Sequence, residues 1–150
     1  IKHWESPKLR KYKGRIVFRG DAAKDQDGLA AVYQELSASP SAVHIVNSNI
    51  AYGCLPGHKS MTADALRAYV QSLLKSKYET WVHVPYDLWP AEWHGKGYRK
   101  PMCKLYKALY GHPESGAHWE AHLTKAIKAI GGVPVENHPS SFWLESRKLF

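Results

Sequence analysis

The chain has 150 residues, 44% of them hydrophobic and 12% aromatic, which is the make-up of an ordered domain and excludes a solvated tail. Lys plus Arg number 21 against 13 Asp plus Glu, a formal charge of +8. That surplus favours polyanionic partners such as nucleic acid or nucleotides, although a merely soluble basic protein shows the same balance. No run approaches the ~20 apolar residues of a membrane span and no signal peptide is visible, so no membrane partner is expected. Cys54 and Cys103 stand alone, in no ligand spacing, and read as free thiols of a reducing compartment. The expected location is intracellular, in cytoplasm or nucleus.

In chain order, residues 1–24 are basic, with Lys2, Lys8, Arg10, Lys11, Lys13, Arg15, Arg19 and Lys24 around the apolar run Ile16-Val17-Phe18. This predicts a strand or hairpin with a cationic face, ended at Gly20-Asp21. Residues 25–60 are rich in Ala, Ser and Gly, with a helix expected near Leu29–Leu36 and turns at Pro40 and Pro56-Gly57. Between Thr62 and Leu74, Leu66, Tyr69, Val70 and Leu73 share one helical face. Thr80–Val84 is β-prone and closed by Pro85. Residues 86–101, with Pro90, Gly95, Gly97 and Pro101, read as a loop, and Met102–Tyr110 alternates apolar and cationic residues up to Gly111.

The clearest element carries Trp119, Leu123, Ala126, Ile127 and Ile130 on one stripe, a helix approached through Pro113 and stopped by Gly131-Gly132. Phe142-Trp143-Leu144 begins a final strand that the chain end interrupts. Strands and helices mix without βαβ regularity, so the expected class is α+β. The opening on Ile1 and the apolar close at Phe150 suggest a domain truncated at both ends.

Four blocks carry a family resemblance. Lys13-Gly14-Arg15-Ile16-Val17-Phe18-Arg19-Gly20 resembles a basic fingers strand, and Ala63-Asp64-Ala65-Leu66-Arg67-Ala68-Tyr69-Val70-Gln71 resembles the first catalytic motif of reverse transcriptases. Glu79–Pro85 is similar to a strand closed by proline, and Lys104–Trp119 to a lysine-leucine strand leading into Leu-Tyr-Gly and a Trp-bearing helix. Together and in this order they resemble the reverse-transcriptase domain of copia-type retrotransposon polyproteins. The resemblance implies one domain over 1–150, with about 1–60 as fingers and 61–150 as palm and fingers. It also implies an antiparallel sheet with helices packed on one face.

Its chemistry would be RNA-directed DNA synthesis, joining a 3′-hydroxyl to the α-phosphate of a deoxynucleotide with two Mg²⁺ (or Mn²⁺) ions held by carboxylates. The resemblance makes Asp64 the catalytic metal ligand, sets Tyr69 beneath the incoming sugar and makes Ala68 a further nucleotide-binding residue. Lys13, Arg15 and Arg19 would meet the triphosphate, and Gly111 would admit nucleotide or template. The implied partners are an RNA or DNA template-primer, deoxynucleoside triphosphates and the other domains of the polyprotein.

Plainer readings stand beside each of these. Asp64 also suits a helix start, Tyr69 a core stripe, the cations a solvated face and Gly111 an ordinary turn. Glu114 stands where the family usually carries Gln, residues 25–59 match poorly, and the paired aspartates that complete the metal site would follow the Phe142 strand. A noncatalytic nucleic-acid binder, or an interaction module keeping only the fold, therefore remains an alternative. His118 and His122 have the spacing of a zinc pair, but Glu120 lies about 200° round a helix from His118, away from the position of a neighbouring base.

Overall fold

A computed structural model describes residues 5–8, 14–33 and 38–150. Among them, helices α1 (Val43–Gly53), α2 (Ala68–Gln71) and α3 (Ser115–Ala129) are interspersed with strands β1 (Trp81–His83), β2 (Met102–Lys104), β3 (Val133–Pro134) and β4 (Phe142–Trp143). The class is mixed α and β, as expected. The single sheet with helices on one face is replaced, among the described residues, by two antiparallel ladders, β1 with β2 and β3 with β4. Trp81 pairs with Lys104 and His83 with Met102 in the first, Val133 with Trp143 and Pro134 with Phe142 in the second. Proline limits the first ladder: Val84 N–H donates to Pro101 O at 3.3 Å, and Pro101 has no N–H to return the bond.

Helix α3 follows its apolar stripe and ends in a Schellman turn. Gly131 N–H donates to Lys128 O at 3.0 Å and Gly132 N–H to Ile127 O at 2.9 Å, with Gly131 at φ +93. The helix expected over Thr62–Leu74 shrinks to the single turn of α2. Arg67 is left-handed at φ 54, and the Ser72 hydroxyl donates to Tyr69 O at 2.8 Å. Beyond it the backbone pairs with a distant segment, Ala108 N–H to Ser72 O at 3.1 Å and Leu74 N–H to Tyr106 O at 2.9 Å. Long-range pairing overrides the local helical pattern here.

The expected helix near Leu29–Leu36 is absent over 29–33; its remaining residues lie outside the described ones. Asp25 instead organises a tight hairpin, its carboxylate accepting from Asp27 N–H at 3.0 Å and Leu29 N–H at 2.9 Å, with Gly28 at φ +77 and Lys24 bridging Ala30. Asx-turn chemistry thus decides this segment. Residues 14–19 form no strand and attach through one backbone bond, Phe18 N–H to Tyr110 O at 2.7 Å. At the other end, β4 stops at a turn in which Leu144 N–H donates to Leu149 O at 2.7 Å.

Helix α1 was not foreseen. Val43, Val46 and Ile50 do fall at helical spacing, but β-branched residues and the Asn47-Ser48-Asn49 run are weak helix formers. No residue of α1 is buried.

The packing is open. The accessible surface is 12665 Å² for 17.0 kDa, whereas a compact chain of that mass shows about 7,700 Å². Among the described residues the buried apolar side chains are Ala108 and Leu144, while Ser72, Thr80, His112, Glu114, Ser115 and Ser141 are the buried polar ones.

Candidate functional site

The polar centre is the turn from Leu109 to Ser115, on which sequence-distant segments converge. Gly111 is left-handed at φ +85, and a Cβ there would overlap the Phe18 carbonyl and come within 2.7 Å of Val17 Cγ1. The close approach it permits is therefore to the Val17-Phe18 backbone. The Ser115 hydroxyl donates to Leu109 O at 2.7 Å and accepts from Leu109 N–H at 3.0 Å, closing the turn at the start of α3.

His112 anchors this turn to β1. Glu114 N–H donates to its Nδ1 at 3.2 Å, so the ring proton sits on Nε2, 3.1 Å from the Thr80 hydroxyl. Phe18 and Tyr33 pack against the ring at 5.2 and 5.1 Å between centroids. Burial lowers the His112 pKa below its ordinary value of 6.5, against the pull of the Glu114 carboxylate. Tyr33 is pushed up, first by burial and then by Glu114. The Glu114 carboxylate lies 3.6 Å from His118 Nε2, beyond hydrogen-bond reach.

A second cluster gathers some of the residues expected to bind nucleotide. Tyr69 packs on Tyr110 at 4.9 Å with rings tilted 60°, and the Arg15 guanidinium stands 5.8 Å from the Tyr110 centroid. Arg15, Tyr69 and Gly111 thus come together around Tyr110, with Ala68 the first residue of α2. Arg19 ion-pairs with Asp21 at 2.9 Å on the exposed surface, and that hydrogen bond lowers the Asp21 pKa. Lys13 lies outside the described residues.

Asp64 is exposed on the loop leading into α2. No group of three or more His, Cys, Asp or Glu that could hold a metal occurs among the described residues. They offer Asp64 as one carboxylate toward an octahedral Mg²⁺ and do not complete such a site by themselves. His118 faces Glu114, while His122 stacks on Trp119 at 5.8 Å.

Tyr110, His112, Thr80 and Ser115 are the organising residues that pattern reading did not single out. Tyr110 sits inside the Leu-Tyr-Gly block, the one signal that could have pointed to it. The buried hydroxyls carry no periodic signature at all. No family model matches the chain, and no curated protein or solved structure matches it.

Proposed function

We propose that the chain forms the fingers and first half of the palm of a reverse-transcriptase domain in a copia-type retrotransposon polyprotein. The supporting observation is spatial. The four blocks that resemble the family stand far apart in sequence, yet Lys104–Trp119 receives the other three: Phe18 bonds to Tyr110, Tyr69 packs on Tyr110, and Thr80 bonds to both Leu105 and His112. Residues 25–59, which resemble the family least, include α1, none of whose residues is buried.

In this reading Asp64 is one ligand of Mg²⁺ or Mn²⁺, and the other ligands come from an aspartate pair outside these residues. Arg15, with Lys13 and Arg19, meets the triphosphate, because guanidinium forks match phosphate oxygens. Tyr69 lies beneath the sugar, and Ala68 is a further nucleotide-binding residue. Template-primer, deoxynucleotides and the other polyprotein domains are the partners, in cytoplasm or nucleus. The noncatalytic nucleic-acid binder is the second reading, favoured by the +8 charge beside a single candidate carboxylate.

Primer extension is the test, using a protein that carries this chain together with the aspartate pair. Asp64→Asn is expected to reduce extension to background while leaving template binding within twofold. Extension that survives the substitution overturns the catalytic assignment. Binding without extension by the unsubstituted protein selects the noncatalytic reading.

A further inference from the structure

Residues 86–100 build a second aromatic surface that the polymerase reading leaves unused. Two single 3-10 turns, Tyr86–Leu88 and Ala91–Trp93, each start after a proline, Pro85 at φ −57 and Pro90 at φ −56. The Trp89 indole N–H donates to Val84 O at 2.9 Å, which pins one ring to the residue after β1. Tyr86 packs on it at 4.8 Å and Trp93 at 6.2 Å, and Trp93 passes the contact on to Tyr98 at 6.1 Å. The array is continuous, and its two ends are open: Tyr86 is 63% and Tyr98 50% exposed.

Charge lies beside the rings. Lys96, Arg99 and Lys100 are exposed, and none is in an ion pair among the described residues. Asp87 and Glu92 stand in the two 3-10 turns, while from Gly95 to Lys104 the chain carries no Asp or Glu, so the positive charge gathers at the Tyr98 end. A protein-docking patch of this size would be depleted of charge at its centre. A membrane-facing segment would add a broad aliphatic face. Exposed aromatic rings flanked by exposed cations instead match the two demands of a single-stranded polynucleotide, ring faces for bases and positive charge for phosphates.

We propose that this loop binds single-stranded nucleic acid, with bases stacking on Tyr86 and Tyr98 while Lys96, Arg99 and Lys100 follow the backbone. The site is independent of Asp64 and of any polymerase activity.

Binding of fluorescein-labelled oligothymidylate to the full chain, followed by anisotropy, tests it. The Tyr86→Ala/Tyr98→Ala double variant is expected to bind about tenfold or more weakly, and the Tyr86→Phe/Tyr98→Phe pair to bind as the original. Lys100→Ala should reduce the slope of log affinity against log salt by about 0.7. On the unsubstituted protein, an abasic oligomer with the same number of phosphates should bind about tenfold more weakly than oligothymidylate. Equal binding of the abasic oligomer, or unchanged binding by the Tyr-to-Ala pair, overturns the proposal. So does binding to phosphatidylserine vesicles with none to oligothymidylate, which would mark a membrane-facing surface. Oligothymidylate binding and primer extension are read in separate assays, so failure here and failure of the polymerase reading are distinguishable.

Discussion

The Leu109–Ser115 turn and helix α1 invert the usual relation between polarity and burial. In the turn, His112 is 4% exposed and Ser115 1%, both polar; in α1, Val43 is 75% exposed and Ile50 53%. The difference lies in where hydrogen bonds go. His112 and Ser115 each have named hydrogen-bond partners, so their desolvation is offset. Helix α1 satisfies its own backbone and, among the described residues, leaves Val43, Val46 and Ile50 largely exposed, with His44 against the His138 ring. Regular secondary structure and tertiary anchoring are separate achievements in this chain, and the irregular turn holds the second.

Substitution at Gly111 should give the largest effect. Gly111→Val puts a β-branched side chain at φ +85 and into the Phe18 carbonyl. Backbone strain and the forced displacement of residues 17–18 together cost on the order of 3 kcal/mol. Urea unfolding followed by tryptophan fluorescence should report that loss. A change under about 0.5 kcal/mol would mean that the first block does not dock on the turn at all.

Acid should loosen the same turn more gently. Because burial holds the His112 pKa below 6.5, the unfolded chain takes up its proton at a higher pH than the folded one. The stabilisation is complete above about 6.5 and declines as pH falls through the lowered folded value. Protonating Nδ1 would also remove the acceptor that Glu114 N–H uses. Glu114 draws the proton in and His118 opposes it, the first raising and the second lowering the His112 pKa. The urea midpoint should therefore drop between pH 7.5 and 5, and His112→Gln should flatten that drop. An equal drop in the variant would assign the acid sensitivity to another histidine.

Much of the frame was legible in the sequence. Helix α3, β1, the loop after Pro85 and the strand beginning at Phe142 follow from strong periodicity or from proline and glycine punctuation, which act locally. The errors have more than one cause. Asp25 capturing two backbone N–H groups and Ser72 closing α2 are side-chain-to-backbone bonds that no window of hydropathy records, and the pairing of Ser72 and Leu74 with Ala108 and Tyr106 is long-range. The candidate site was legible in part for the same reason. Arg15, Tyr69 and Gly111 were named from blocks, but Tyr110, the ring on which the first two converge, emerges only when distant segments meet.

The smallest expected effect is also the sharpest test of the contrast. Ile50→Ser replaces a large apolar side chain with a polar one, a change that costs several kcal/mol in a packed core. Ile50 is 53% exposed and no residue of α1 is buried. Isoleucine and serine have similar helix propensity, so the helix itself changes little. The expected shift is within about 0.5 kcal/mol, far below that of Gly111→Val, although the chemical change is the more drastic. An eleven-residue helix without a packed face is marginal in water, so the helical circular dichroism from α1 should be weak in the original and the variant alike. A loss of about 2 kcal/mol or more would show that Ile50 is covered in solution, and the division between an anchored turn and an exposed helix would fall with it.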